Sequence, residues 1–275
     1  MKKKVTSVLI VVVLALLIVF PAAAITNGGP DNGAHPYVGL AVFDDANGNP
    51  LWRCSGTLLS SRIFLTAGHC TEAPAVAATI WFAENVDATA NFGTPKGYPF
   101  EGDVDGTPYT HPQYNPNAFY LYDLGVVVLD KPVRMSQYGA LPELGVLDGI
   151  KGKDKEGALL AVGYGLQKSN PVSVEGRRVR LQAVLDILNT KGVFGVPDGT
   201  SVAVSGSGVG GDSSDSGGTC FGDSGGPQFL NGTNTVVAVT SFGLNGNCAG
   251  TGGGYRVDQA DDLNWLYSAF GDYLP

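Results

Sequence analysis

The sequence predicts an all-β protein, and two features of it carry that prediction. Glycine (40 residues) and proline (16 residues) punctuate the chain so often that apolar runs stay short. Those runs are rich in β-branched and aromatic residues, and turn residues separate them, the pattern of a sandwich or barrel rather than of alternating strands and helices. The runs are Val38–Phe43, Gly56–Leu59, Ile63–Thr66, Thr79–Phe82, Leu124–Leu129, Ala158–Val162, Arg178–Ile187, Ser201–Val204 and Thr235–Phe242. Helical periodicity is confined to the C-terminus. There Leu263, Leu266, Tyr267 and Phe270 recur at helical spacing, and Asp258, Asp261 and Asp262 suit a first turn.

The first 24 residues stand apart. Lys2, Lys3 and Lys4 precede an apolar run from Val8 to Phe20, and Pro21–Ala24 supplies small residues. This is the layout of a secretory signal peptide (residues 1–24), with an uncleaved anchor as the alternative. The run predicts a secreted protein, extracellular or periplasmic, with no stable membrane association after cleavage. Removal of the leader leaves residues 25–275. It also leaves 14 Lys+Arg against 25 Asp+Glu, a net charge of −11. An acidic surface argues against nucleic acid and anionic membranes as partners. The polar segment Met135–Glu156 divides the strand-rich halves, giving lobes of about 25–135 and 157–275 with a connection at about 136–156. Cys54, Cys70, Cys220 and Cys248 are an even set in an exported chain. They read as two disulfides with three possible pairings, and no C-x-x-C spacing favours zinc.

Chemistry concentrates in Thr219–Pro227, T-C-F-G-D-S-G-G-P. A serine hydroxyl in a glycine-rich turn is a weak nucleophile until a base takes its proton. It also needs N–H groups aimed at the oxyanion that it creates. Ser224 therefore calls for a histidine and for a carboxylate to orient it. His69 follows the apolar strand Ile63–Thr66, and Asp123 leads into Leu124–Leu129. A buried carboxylate needs a partner, and an imidazole N–H is a suitable one. The other histidines, His35 and His111, each precede proline and read as turn residues. The chain order is His69, Asp123, Ser224, which is the order of the chymotrypsin type.

Nine landmarks in order carry a resemblance to trypsin/chymotrypsin-type serine endopeptidases. They are I-T-N-G (25–28), C-S-G-T-L-L (54–59), L-T-A-G-H-C (65–70), H-P-Q-Y-N (111–115), D-L-G-V-V-V-L (123–129), G-Y-G (163–165), G-D-S-G-G-P (222–227), S-F-G (241–243) and Y-R-V (255–257). The resemblance implies two six-stranded antiparallel β-barrels packed together, the active site between them and a C-terminal helix. It implies that Ser224 is the nucleophile, His69 the base and Asp123 its orienting group, with the amides of Gly222 and Ser224 as the oxyanion hole. It pairs Cys54 with Cys70 and Cys220 with Cys248. It makes Asp223 the partner of an α-ammonium released at Ile25. A pocket of Gly218, Thr219, Ser241, Phe242, Gly243 and Gly253 carries no charge and implies cleavage after large apolar residues, although Asp212 and Asp215 lie in the preceding loop. The protein is then a monomeric endopeptidase acting on protein or peptide substrates, without metal or cofactor. A catalytically silent binding protein on the same fold and a peptidase of other specificity are the alternatives. A metalloenzyme lacks its histidine motif, and an esterase of the α/β-hydrolase type lacks its helices. Asn231-Gly232-Thr233 is a glycosylation sequon in a eukaryotic pathway.

Overall fold

Short, densely apolar runs can bury their residues by closing a sheet on itself. The computed structural model does this once fully and once in part. It describes residues 25–26, 28–89, 97–167, 178–192, 196–206 and 217–275; the leader 1–24 and Asp212 and Asp215 lie outside these. Strands β2 (Val38–Asp44), β3 (Pro50–Leu58), β4 (Ile63–Thr66), β5 (Ala77–Trp81), β6 (Val104–Thr110) and β7 (Gly125–Leu129) form a closed antiparallel barrel. Its order is β2-β3-β4-β7-β6-β5. Gly56 on β3 is required by packing. A Cβ there would collide with the ring of Phe64, a fully buried core residue.

The second sheet uses β1 (Gly29–Pro30), β8 (Leu159–Gly163), β9 (Leu181–Leu185), β10 (Ile187–Asn189), β11 (Ser201–Ser205), β12 (Pro227–Leu230), β13 (Val236–Gly243) and β14 (Thr251–Arg256). Its order is β1-β9-β8-β12-β13-β14-β11-β10. This sheet is a half-barrel rather than a hydrogen-bonded closed one. β9 pairs with β8 and β10 with β11, yet only Asp186 separates them in the chain. The sequence reads Arg178–Ile187 as one strand. The break comes at Asp186, whose carboxylate accepts from Gly157 N (2.6 Å) and whose N–H donates to Ser205 Oγ (2.8 Å). That corner turns one run of chain from one neighbour to another and curls the sheet.

Strands β6, β12 and β14 escape a reading based on apolar runs. β6 alternates buried and exposed residues around Pro108, and β14 contains Gly252, Gly253 and Gly254. Glycine in β14 leaves space for neighbours: Cβ atoms on Gly253 and Gly254 would strike Phe242 and Gln228. The C-terminal helix, Ala260–Phe270, buries Leu266 and Phe270. Tyr267, which shares their spacing, is 52% exposed instead.

A buried ionic network joins the two sheets. Arg180, just before β9, donates through Nε to Asp31 (2.8 Å). Its NH1 donates to the carbonyls of Val38 (3.2 Å) and Phe82 (3.0 Å) and to Tyr164 Oη (3.1 Å). Asp31 also accepts from the backbone N–H of His35 (3.1 Å), and His35 Nδ1 lies 2.6 Å from its other oxygen. Val38 and Phe82 belong to the barrel side, and Tyr164 follows β8, so one guanidinium ties both layers together.

Candidate active site

His69 sits on a single helical turn, Gly68–Thr71, that follows β4 directly. Cys70 in the same turn is bonded to Cys54 on β3, which anchors the turn to the barrel. Asp123 immediately precedes Leu124 and β7, with no exposed side-chain surface. Antiparallel pairing of β4 with β7 brings the two residues together, since Thr66 is registered with Gly125. The Asp123 carboxylate receives the backbone N–H of His69 (2.8 Å) and lies 3.0 and 3.1 Å from His69 Nδ1. Ser241 Oγ donates to its Oδ2 at 2.5 Å. These contacts place the imidazole proton on Nδ1 and leave Nε2 as an acceptor. Burial pulls the His69 pKa down, but the charge of Asp123, its hydrogen bond and the charge of Glu72 outweigh this and raise it above the ordinary value.

The serine turn is stapled between the two layers. Ser55 N donates to Ser224 O (2.8 Å), and Ser55 Oγ donates to Gly222 O (2.8 Å). Gly225 N donates to Thr240 O on β13 (2.8 Å). Gly222 (φ 96°) and Gly225 (φ 74°) take left-handed conformations that side chains disfavour. The amides of Asp223, Gly225 and Gly226 all donate within the protein. Those of Gly222 and Ser224 have no acceptor among the described residues. Ser224 and His69 line one cavity of about 710 Å³, together with Trp52, Arg53, Cys54, Glu72, Leu166, Phe221 and Gly222. No hydrogen bond joins Ser224 Oγ to the imidazole, which is common before substrate binds.

Asp223 points away from this cavity. Its carboxylate is buried and accepts from Gly165 N (2.8 Å) and Cys220 N (2.9 Å). Burial pushes its pKa up to about 7, against the pull of those two amides and the positive charge of Arg53. Gly163 and Gly165 make room for it, since a Cβ on either would run into the carboxylate. Ile25 is fully buried among Leu147, Leu159 and their neighbours. Thr26 and Gly218 exchange backbone hydrogen bonds of 2.9 and 2.8 Å. Because residues 1–24 precede it in the chain, Ile25 N is an amide, and no hydrogen bond connects it with Asp223.

A second cavity, of about 390 Å³, opens on the other side of Ser224. Thr219, Ser241, Phe242 and Gly243 line it, together with Leu244, the Cys220–Cys248 disulfide and Phe221. Two residues expected there are elsewhere. Gly218 is buried in its pairing with Thr26, and the Phe242 ring covers Gly253. Among the described residues, no charged side chain lines this cavity. Sequence patterns do not single out Arg53 or Trp52, and they mark Ser55 only as part of C-S-G-T-L-L, without a role. Arg53 and Ser55 flank Cys54 in one strand, and only the fold turns them toward the serine turn. Among the described residues the one cluster with metal-ligand geometry is Cys54, His69 and Cys70, and its two sulfurs are bonded to each other. No helix among the described residues is long and apolar enough to cross a membrane.

Comparison with known proteins identifies the family and the fold. The chymotrypsin-like elastase family member 1 of Macaca fascicularis is 28% identical over 229 residues, covering 78% of this chain and 77% of that protein. Brachyurin of Leptuca pugilator is 25% identical over 220 residues, covering 78% and 83%. A CLIP domain-containing serine protease, B14, of Anopheles gambiae is 28% identical over 243 residues, and the match spans 78% of this chain but only 64% of that protein. The solved structure of HL collagenase superposes with a TM-score of 0.66 at 22% identity, over 90% of this chain and 99% of the other, which speaks for the fold. The family model described as Trypsin matches residues 28–265, so this chain belongs to the trypsin family of serine endopeptidases.

Proposed function

We propose that this protein is a secreted endopeptidase that hydrolyses peptide bonds through an acyl-enzyme formed on Ser224. The observation that carries the reading is the convergence at one cavity of an oriented imidazole, a serine and two unpaired amides. Ser224 Oγ attacks the peptide carbonyl carbon while its proton passes to His69 Nε2. The carbonyl oxygen takes the negative charge and lies against the Gly222 and Ser224 amides. Collapse breaks the C–N bond, and His69 returns the proton to the leaving amine. Water, deprotonated by the same imidazole, then hydrolyses the ester and restores Ser224. Asp123 holds the tautomer and offsets the charge of the imidazolium, and Ser241 holds Asp123.

The uncharged cavity beside Ser241–Gly243 accepts a large apolar side chain before the scissile bond. A lysine or arginine there would be desolvated without a counter-ion among the described residues. Residues 1–24 direct export, and cleavage before Ile25 releases an α-ammonium to Asp223, whose buried carboxyl has no full ionic partner. The mature domain is 25–275. A fluorophosphonate probe tests the core of this reading: the purified protein becomes labelled, and Ser224→Ala does not. Peptide anilides test specificity, with faster release after Phe or Leu than after Arg expected and the reverse order overturning it. N-terminal sequencing of exported protein tests the start at Ile25.

A further inference from the structure

The larger cavity beside Ser224 contains a cation that the hydrolytic chemistry does not use. Arg53 on β3 is half-buried; among the described residues its guanidinium makes no hydrogen bond and no close ion pair, and its charge reaches the buried Asp223 carboxyl only at longer range. Arg53 Nε stands 3.1 Å from where a Cβ on Gly222 would lie, so the side chain packs against Gly222, whose amide is assigned to the oxyanion. An arginine so placed has a planar fork suited to a carboxylate.

The rest of the cavity fixes what that carboxylate belongs to. Trp52 is held by its Nε1–H donated to Cys70 O (2.8 Å), and Leu166 and the exposed Phe221 add apolar walls. Arg53 stands at the Gly222 end. The acyl half of a substrate occupies the uncharged cavity beside Ser241–Gly243. The leaving half therefore enters this one.

We infer that Arg53 reads a carboxylate carried within the first two residues after the scissile bond. This rests on Ser224 being the nucleophile, and it adds a charge requirement on the leaving side to an apolar one on the acyl side. The same chemistry has two sources: an aspartate or glutamate side chain, or the C-terminal carboxylate of a short leaving peptide.

Quenched fluorescent peptides with a common acyl half separate the sources. One arm carries Glu or Gln at the first or at the second leaving position, with a distant amidated end. A second arm ends two residues beyond the scissile bond as free acid or amide. The carboxylate member of at least one pair is cleaved with kcat/KM about tenfold higher, and the responding pair identifies the source. High salt shrinks the preference. Arg53→Gln brings the ratio to about one, and Arg53→Glu inverts it. A ratio is insensitive to the amount of folded enzyme, so a poorly folding variant does not mimic this result. Equal rates in every pair, or a preference that survives in Arg53→Gln, overturns the inference. If Ser224 is labelled by the phosphonate while the ratios are flat, the inference fails alone. If nothing is labelled or cleaved, the hydrolytic reading fails and this one with it.

Discussion

At the scale of single residues, charges set the pH behaviour. His69 must be neutral to accept a proton, and Asp123 and Glu72 hold its pKa above the ordinary value near ~6.5. The acid limb of kcat/KM against pH should therefore have its midpoint above that value. Glu72→Gln removes one of the two charges that raise it, so the limb should move to lower pH, and a profile on one apolar peptide substrate checks this. The Asp223 pKa is also raised, but by burial rather than by a charged partner. Its folded pKa of about 7 lies above the ordinary aspartate value of 3.8, so the folded state holds its proton longer than the unfolded state does. Stability from this group is full below the unfolded pKa and is lost as pH rises toward 7, by roughly a few kcal/mol. This applies while Ile25 N is an amide. A released ammonium offsets the charge of Asp223 and should remove the loss. Melting temperatures of cleaved and uncleaved protein at pH 4 and pH 7 should diverge at the higher pH, and parallel curves would count against the pairing.

At the scale of elements, glycines mark where backbones and side chains pass close together. Gly165 leads out of β8 against the Asp223 carboxylate, whereas Gly149 lies in open surroundings, where a Cβ would meet no heavy atom within 4 Å. Gly165→Ala should cost about 1–3 kcal/mol through overpacking. Gly149→Ala should stay within about 0.5 kcal/mol. Urea titrations of the pair distinguish collision from a general glycine effect. The elements also explain which strands are legible in the sequence. β2, β4, β7, β8 and β13 are apolar runs, and their limits in the sequence lie close to those in the structure. β14 is illegible because its β-character comes from pairing with β11 and β13, not from its own side chains. The division of β9 from β10 is hidden because one aspartate corner, set by Gly157 and Ser205, decides it.

At the scale of the whole molecule, the Asp31–Arg180 pair is the polar joint between barrel and half-barrel. Both side chains are almost fully buried. Asp31→Leu strands the Arg180 charge and should destabilise by about 3–5 kcal/mol, while Arg180→Met leaves Asp31 only its contacts with His35 and should destabilise less. The double variant should recover much of that loss, because no charge is then left unpaired. Chemical denaturation of the three variants measures the coupling, and strictly additive losses would mean that the two residues act separately. The joint matters for function because the candidate active site draws His69 and Asp123 from one layer and Ser224 and Ser241 from the other.

The sequence by itself determined the chemistry on offer: a serine turn, a histidine after an apolar strand, an aspartate before another, and four cysteines in an order that resembles one family. These are local patterns, and local patterns survive in a linear text. Only the tertiary structure decided what those groups meet. Pairing of β4 with β7 joins His69 to Asp123, and β13 brings Ser241 onto the same carboxylate. Phe242 closes over Gly253, Gly218 withdraws to Thr26, and Arg53 comes to pack against Gly222. Most of these contacts span a large separation in the chain. Such contacts follow from strand register and from the shape of the packed core, neither of which a single residue or its neighbours encode.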